Sequence, residues 1–135
     1  MRISLTSVFV DDQRAALAFY TEVLGFVVRR NIPLGADLWL TVVSSEQSDG
    51  TELLLEPSSH PAVKPYRDAL MSDGIPLAQF AVDDIEFEHA RLTARGVQFT
   101  LAPTDVGAAI VSVFNDTCGN LIQLIEEKKD TDAAG

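Results

Sequence analysis

The segment VDDQRAALAFYTEVLGF, from Val10 to Phe26, has a counterpart in VDDIEFEHARLTARGV, from Val82 to Val97. Both segments open with Val-Asp-Asp, and after a one-residue gap both reach a glycine. An aspartate can cap the start of a helix, and a glycine in the left-handed conformation can end it. The matched positions are Ala18 with Ala90, Thr21 with Thr93, and Gly25 with Gly96. This internal repeat predicts that the chain contains two copies of one unit.

The sequence on either side of each predicted helix is typical of β-strands. ISLTSVFV comes before the first helix, and FVVRRNI, DLWLTVVSS and TELLLE follow it, separated by turn sequences. GTELLLE, from Gly50, aligns with GNLIQLI, from Gly119, so the repeat extends to the last strand of each unit. The strands predicted for the second unit are 77–82, 97–101, 109–114 and 121–126, with a helix at 84–95.

We therefore predict an α+β fold made of two tandem βαβββ units, with curved mixed sheets and the helices on their outer face. The predicted single domain covers 1–127, with the first unit at 1–57 and the second at 75–127. A proline-rich linker at 58–74 is expected to hold a short helix at 64–71, and residues 128–135 read as a polar tail.

Composition limits the class of protein. The 135 residues carry a formal net charge of -10, which disfavours binding to nucleic acid. No apolar run approaches the roughly 20 residues that span a bilayer, and the N-terminus lacks the pattern of a signal peptide. Cys118 is the single cysteine, so no internal disulfide can form. These features predict a cytoplasmic protein without a membrane partner.

Three stretches carry a resemblance to a known family: VFVDDQRAALAFYTEVLGF, FAVDDIEFEHARLTARGVQF and FNDTCGNLIQLIEE. Together they resemble the vicinal oxygen chelate superfamily, over roughly Arg2 to Glu127. That group includes glyoxalase I, extradiol dioxygenases, methylmalonyl-CoA epimerase and the bleomycin and fosfomycin resistance proteins. The resemblance implies a glyoxalase-like fold, but the family uses this scaffold for lyases, isomerases, dioxygenases, transferases and binding proteins alike.

The resemblance also assigns four positions to metal ligands, which in metal-using members are usually His, Gln or Glu. In this sequence those positions are Leu5, Leu54, Leu77 and Gln123. Leucine offers no lone pair to a cation, and one glutamine cannot hold a divalent ion. A shifted register would bring Glu52 or Glu56 to the position of Leu54. We therefore expect neither a catalytic metal nor another cofactor.

Six residues are candidates for contact with a ligand on the sheet faces that point away from the helices. Alternation along the first strand places Thr6, Val8 and Val10 toward the first helix and Ser7 on the opposite face. Ser7, Gln79 and Gln123 are either ligand-orienting groups or satisfied by neighbours. Trp39 is either a stacking wall or a core residue, and Glu52 and Glu56 either meet a cationic ligand or are solvated. His60 lies in the linker and His89 on the second helix, so a three-histidine site is impossible.

The function that follows from these candidates is the binding of a small molecule in a cavity between the curved sheets, without a metal. The alternative is a metal-dependent lyase, isomerase or dioxygenase with a degenerate or relocated metal site. A third possibility is a module that binds a protein partner and has no pocket chemistry. A homodimer is expected because curved open sheets leave edges and an apolar face uncovered. The sequence leaves open whether the two units pair within one chain or across a dimer.

Overall fold

The structure is a computed structural model, and it describes residues 1–129 of the chain. It contains two four-stranded mixed sheets and three helices, as the repeat predicts. The strands are β1 (Leu5–Val10), β2 (Val27–Leu34), β3 (Asp37–Val43), β4 (Glu52–Pro57), β5 (Ala78–Ala81), β6 (Phe99–Asp105), β7 (Ala109–Asn115) and β8 (Leu121–Glu127). The helices are α1 (Gln13–Ala18), α2 (Val63–Ser72) and α3 (Ile85–Ala94). Residues 130–135 of the predicted tail lie outside the described residues.

The two sheets have the same topology. The first has the strand order β1-β4-β3-β2, and the second has the order β5-β8-β7-β6. In each, the first strand pairs in parallel with the last one, and the three later strands form an antiparallel meander. A parallel pair needs a long connection, which here is the helix together with two strands. Neither sheet closes into a barrel, so β1, β2, β5 and β6 are edge strands.

The helix boundaries follow the predicted caps. The side chain of Asp12 accepts hydrogen bonds from the backbone N–H groups of Arg14 and Ala15, at 2.9 and 3.1 Å. Asp84 accepts one from the N–H of Phe87, at 3.0 Å. The first helix differs from the prediction, because after Ala18 it continues as a π-helix at Phe19–Val23. In this wider turn the consecutive rings of Phe19 and Tyr20 are both buried.

One core lies on the helical side of the two sheets, and both units contribute to it. Val8 and Val10 are fully buried there, as their alternation predicts. Thr6 is exposed instead, because it lines an opening where the two sheets diverge. Aromatic contacts cross between the units, with the rings of Phe26 and Phe80 centred 5.0 Å apart. The two units therefore pack against each other within one chain.

A polar turn between β7 and β8 ties the units together. The carboxylate of Asp116 is fully buried and accepts a hydrogen bond from the hydroxyl of Tyr20, at 2.7 Å. It also accepts from the backbone N–H groups of Cys118 and Asn120 and from the side-chain amide of Asn120. That same amide donates to the carbonyl of Phe9, at 2.8 Å. The turn therefore satisfies a buried carboxylate completely while it holds β1 beside β8.

Arg67, on α2, reinforces this turn from the other side. Its buried guanidinium donates to the carbonyl oxygens of Phe9 and Cys118, at 3.1 and 2.9 Å, and pairs with the carboxylate of Asp11. The charge of Arg67, through this hydrogen bond, holds the pKa of Asp11 below its ordinary value. The linker helix is thus part of the structure that joins the two units. No helix in residues 1–129 is long and apolar enough to cross a membrane.

Candidate ligand-binding groove

The face of the first sheet that points away from the helices carries a groove with a volume of about 260 Å³. Its floor comes from alternate residues of β1, β3 and β4, which the period of two places on one face. The turn between β2 and β3 and the loop after β4 form its ends. The residues that line it are Phe9, Leu34, Asp37, Leu38, Trp39, Leu54, Glu56, Pro57, Ser59 and His60.

The floor and one wall of the groove are apolar. Leu54 sits in the centre of the sheet, paired in register with Ser7 on β1 and with Thr41 on β3. It is 5 % exposed, whereas Trp39 beside it is 36 % exposed. An indole with a third of its surface open on an apolar floor provides a flat contact area for a ring-shaped ligand.

Four polar side chains stand beside this apolar surface, and His60 and Glu56 are two of them. The Nδ1 atom of His60 accepts a hydrogen bond from the backbone N–H of Ala62, at 3.0 Å. In the neutral ring the proton therefore sits on Nε2, which makes that nitrogen a donor. The carboxylate of Glu56 makes no hydrogen bond to any of the described residues and is half-buried. With Asp37 and Ser59, which also line it, the groove offers two carboxylate acceptors and two donors, the Nε2–H of His60 and the hydroxyl of Ser59.

Glu52 shares the face of Glu56 but has its own partners. Its Oε1 accepts a hydrogen bond from the hydroxyl of Thr41, at 2.7 Å, and another from Nε of Arg30, at 3.2 Å. The hydrogen bond from Thr41, assisted by the charge of Arg30, lowers the pKa of Glu52. Glu52 lines a smaller cavity of about 170 Å³ at the junction of the two sheets, together with Gln79.

On the second sheet, Gln123 donates from its side-chain nitrogen to the side-chain oxygen of Gln79, at 2.6 Å. The two residues face each other in register across β5 and β8; alternation leaves Gln79, Ser7 or a water as the partner of Gln123, and the structure selects Gln79. Ser7 is exposed on β1. The six sequence candidates therefore do not lie together. Trp39 and Glu56 lie in the groove, whereas Glu52 and Gln79 lie at the sheet junction, with Gln123 next to Gln79. Ser7 lies on β1 between the groove and the junction.

Of the residues that line the groove, sequence reasoning identifies only Trp39 and Glu56 as ligand contacts, and Phe9 and His60 are among those that it misses. The period of two places Phe9 on the same face of β1 as Ser7, but it does not show which residues of that face line a groove. His60 reaches the groove because the loop after β4 turns back across the sheet between Pro57 and Pro61. The prolines signal a turn in this loop but do not give its direction, so no pattern in the sequence identifies His60.

The four positions that the resemblance assigns to metal ligands do not fit a divalent cation. Leu5, Leu54 and Leu77 have no donor atom, and the amide of Gln123 is bonded to Gln79. Within residues 1–129 there is no group of three or more His, Cys, Asp or Glu side chains that could hold a metal ion. Cys118 is not a candidate either, since burial and the nearby Asp116 raise the pKa of its thiol to about 12.

The chain is similar to known proteins in both sequence and fold. The family model described as Glyoxalase/Bleomycin resistance protein/Dioxygenase superfamily matches residues 2–124. The uncharacterized protein YurT of Bacillus subtilis is 50% identical over 127 residues, which cover 94% of this chain and 100% of YurT.

Two solved structures show the same architecture over almost their full length. The crystal structure of UcmS2 has a TM-score of 0.81 and 30% identity, and the match covers 94% of this chain and 98% of that one. The structure of TnmS3, an antibiotic binding protein from Streptomyces sp. CB03234, has a TM-score of 0.76 and 28% identity. That match covers 95% of this chain and 97% of TnmS3.

Proposed function

Because this chain belongs to the glyoxalase/bleomycin resistance protein/dioxygenase superfamily, we propose that it binds a small ring-containing molecule in the groove of its first sheet, without a divalent metal. The observation that carries this proposal is the composition of the groove. An apolar floor and an open indole meet a small number of polar side chains, as is typical of small-molecule sites. The structural similarity to TnmS3, whose described role is to bind an antibiotic, supports the same class of function.

Five residues of the groove contact the ligand in this proposal. The indole of Trp39 stacks on a ring of the ligand, and Phe9 and Leu54 contact its edge. The Nε2–H of His60 donates to an oxygen of the ligand. Glu56 accepts a hydrogen bond from a ligand hydroxyl or pairs with a ligand amine. About 260 Å³ accommodates one or two rings, or the ring portion of a larger compound.

The other predicted ligand contacts lie beyond the groove. A ligand longer than the groove would extend across β1 and past Ser7 toward the junction with the second sheet. There it would meet Glu52 and Gln79, and beyond them Gln123. These residues would adjust affinity for the longer compounds and would leave the binding of a single ring unchanged.

Trp39 provides the test, since it is the only tryptophan of the chain. We would titrate the protein with 4-nitrophenol and with a panel of aromatic antibiotics, and record Trp39 emission and the melting temperature. We expect saturable quenching, together with a rise in melting temperature, because a ligand of the native state stabilises it by mass action. Glu56→Gln and His60→Ala should weaken binding of the phenol, whereas Gln123→Ala, on the other sheet, is the matched control.

Three results would contradict this proposal. Emission that no compound changes would remove the groove as a binding site, and Gln123→Ala acting as strongly as Glu56→Gln would place the site elsewhere. Elemental analysis showing close to one equivalent of zinc, nickel or iron per chain, in protein purified without chelator, would refute its metal-free part.

A further inference from the structure

A second cavity lies on the opposite side of the sheets from the groove. It is formed where the turn after the π-helix, the loop after β3, the start of α3 and strand β5 meet, and it has a volume of about 290 Å³. Its floor is apolar and comes from both units: Leu24, Phe26, Phe80, Leu92 and Leu124. It has no lining residue in common with the groove. A cavity with such a floor is a site for an apolar group that comes from solution.

The rim of this cavity is acidic. Four carboxylates line it, from Glu46, Asp83, Asp84 and Glu88, against a single cation, the guanidinium of Arg91. Arg91 is already paired with Glu88, at 2.8 Å, and it also donates to the carbonyl of Val23. Its charge is therefore used within the protein.

Of the remaining acids, Asp84 caps α3, but Glu46 and Asp83 are exposed and form no ion pair with any described residue. Their charges point to a cationic partner, because they are not balanced locally. The net charge of the chain, -10, would raise the local concentration of cations around this rim.

The side chain of Phe87 is the third part of the site, after the apolar floor and the acidic rim. It lies on the first turn of α3, lines the cavity, and is 61% exposed. Exposure of a phenyl ring to this extent has no explanation in the packing of the core. A ring face close to carboxylates is a recognised arrangement for holding an alkylammonium group.

We propose that this cavity is a second binding site, for a small organic cation with an apolar body. The apolar group of the ligand enters between the units and contacts Phe26 and Phe80. Its ammonium group stays at the rim, against Phe87 and the carboxylates of Glu46 and Asp83. This site is independent of the groove on the first sheet, and neither proposal requires the other.

The test is an NMR titration of the full chain with benzyltrimethylammonium. We expect saturable shifts in the backbone amides of residues 44–46 and 80–88, with no change in Trp39 emission. Benzyl alcohol and phenylacetate, which have the same ring but are neutral and negative, should bind at least about tenfold more weakly. Raising the salt concentration should weaken binding of the cation, since the rim carboxylates are exposed.

Variants locate the site. The double variant Glu46→Gln with Asp83→Asn removes two charges that form no ion pair within residues 1–129, and it should weaken binding about three- to tenfold. Asp73→Asn with Glu127→Gln removes the same charge elsewhere on the surface and should leave affinity unchanged. Phe87→Ala, which removes an exposed ring, should also weaken binding.

Several outcomes would overturn the proposal. Equal binding of the three probes, or equal loss in the two double variants, would show that the cavity does not select a cation. Quenching of Trp39 by benzyltrimethylammonium, without shifts in residues 80–88, would place the cation in the groove. Shifts of these amides with protein concentration alone would mean that a second copy of the chain occupies the cavity.

Discussion

Asp116 is the residue on which the links between the two units converge. It is fully buried, and its hydrogen bond from Tyr20 joins residues 96 positions apart in the sequence. A buried carboxylate is stable only when donors surround it, and here the donors come from the π-helix after α1 and from its own turn. Each carboxylate oxygen accepts two hydrogen bonds, so replacing one donor removes half of the hydrogen bonding of a charged oxygen that water does not reach.

Tyr20→Phe should therefore lower the free energy of unfolding by about 1–3 kcal/mol, although the ring itself is kept. Tyr66→Phe is the matched control, because Tyr66 is 52% exposed and its loss of a hydroxyl should change stability by less than about 0.5 kcal/mol. Urea denaturation followed by circular dichroism measures both. Equal changes in the two variants would show that the bond to Asp116 does not stabilise the fold.

Two neighbours on β8 should respond differently to truncation. Ile122 is fully buried under the helices, and Ile122→Ala should lose about 2–5 kcal/mol through the cavity it leaves. Gln123 is half-buried on the other face and bonds only to the exposed Gln79. Gln123→Ala should cost much less in the same denaturation experiment. Similar large losses would make Gln123 a core residue.

Cys118 should be unreactive in the native protein. It is 4% exposed, and a thiol pKa of about 12 leaves almost no thiolate at pH 8. We expect an aromatic disulfide reagent to modify it only after denaturant is added, in a spectrophotometric assay. Rapid modification without denaturant would mean that the β7–β8 turn opens readily.

Individual residues show where prediction from sequence succeeds and where it stops. The shared face of Gln79 and Gln123 follows from alternation, because strand faces are a local property of the sequence. The burial of Asp116 does not follow, since its main partner lies on a helix of the other unit. The location of His60 could not be predicted either, because only the folded loop brings it to the groove.

The turn between β7 and β8 depends on a glycine that no other residue can replace. Gly119 has a φ of +106°, and a β-carbon there would lie 2.5 Å from the guanidinium of Arg67. Arg67 cannot move away without breaking its bonds to the carbonyl oxygens of Phe9 and Cys118. The turn and the linker helix are therefore fitted to each other.

The variants Gly119→Ala and Gly107→Ala separate the cost of a positive φ from the cost of displacing Arg67. Gly107 has nearly the same φ, +105°, but a β-carbon there would meet nothing within 4 Å. Gly107→Ala should cost about 1–2 kcal/mol from backbone strain alone. Gly119→Ala should cost about 1–3 kcal/mol more, through the displaced arginine. Thermal denaturation compares them, and equal losses would exclude a role for the contact with Arg67.

The strands and helices were largely predictable, apart from the ends of two strands and one π-helix. The sequence suggested that β6 ends at Leu101, but it continues to Asp105, past Pro103. β2 likewise runs past Pro33. Both are edge strands, where a proline removes no necessary hydrogen bond. The π-helix at Phe19–Val23 was not predictable, because it depends on the core that receives Phe19 and Tyr20.

The assembled chain leaves an apolar strip uncovered on the first sheet. Ile32 and Leu34 on β2 are 51 and 60% exposed, and Trp39, which is paired in register with Ile32, adjoins them on β3. Sheet edges and apolar patches of this kind are usually covered by another chain. A second copy, related by a two-fold axis, would cover the strip symmetrically, and because Leu34 and Trp39 also line the groove, it would form an outer wall of the groove.

We therefore predict a homodimer at micromolar concentration, measured by sedimentation velocity. Ile32→Lys should shift the protein toward the monomer, because it places a charge in the strip without touching the core. Ile75→Lys, at a position 46% exposed and outside the strip, is the control. A monomeric unmodified protein would contradict this prediction.

The polar turn also determines when the chain can finish folding during its synthesis. The first unit leaves the ribosome complete in strands and helix, but the hydroxyl of Tyr20 and the guanidinium of Arg67 still lack their partners from the β7–β8 turn. Those partners exist only once residues 116–118 have been translated. The two units are therefore alike in pattern but share one core, so apolar surface on the nascent first half stays uncovered until the second half arrives.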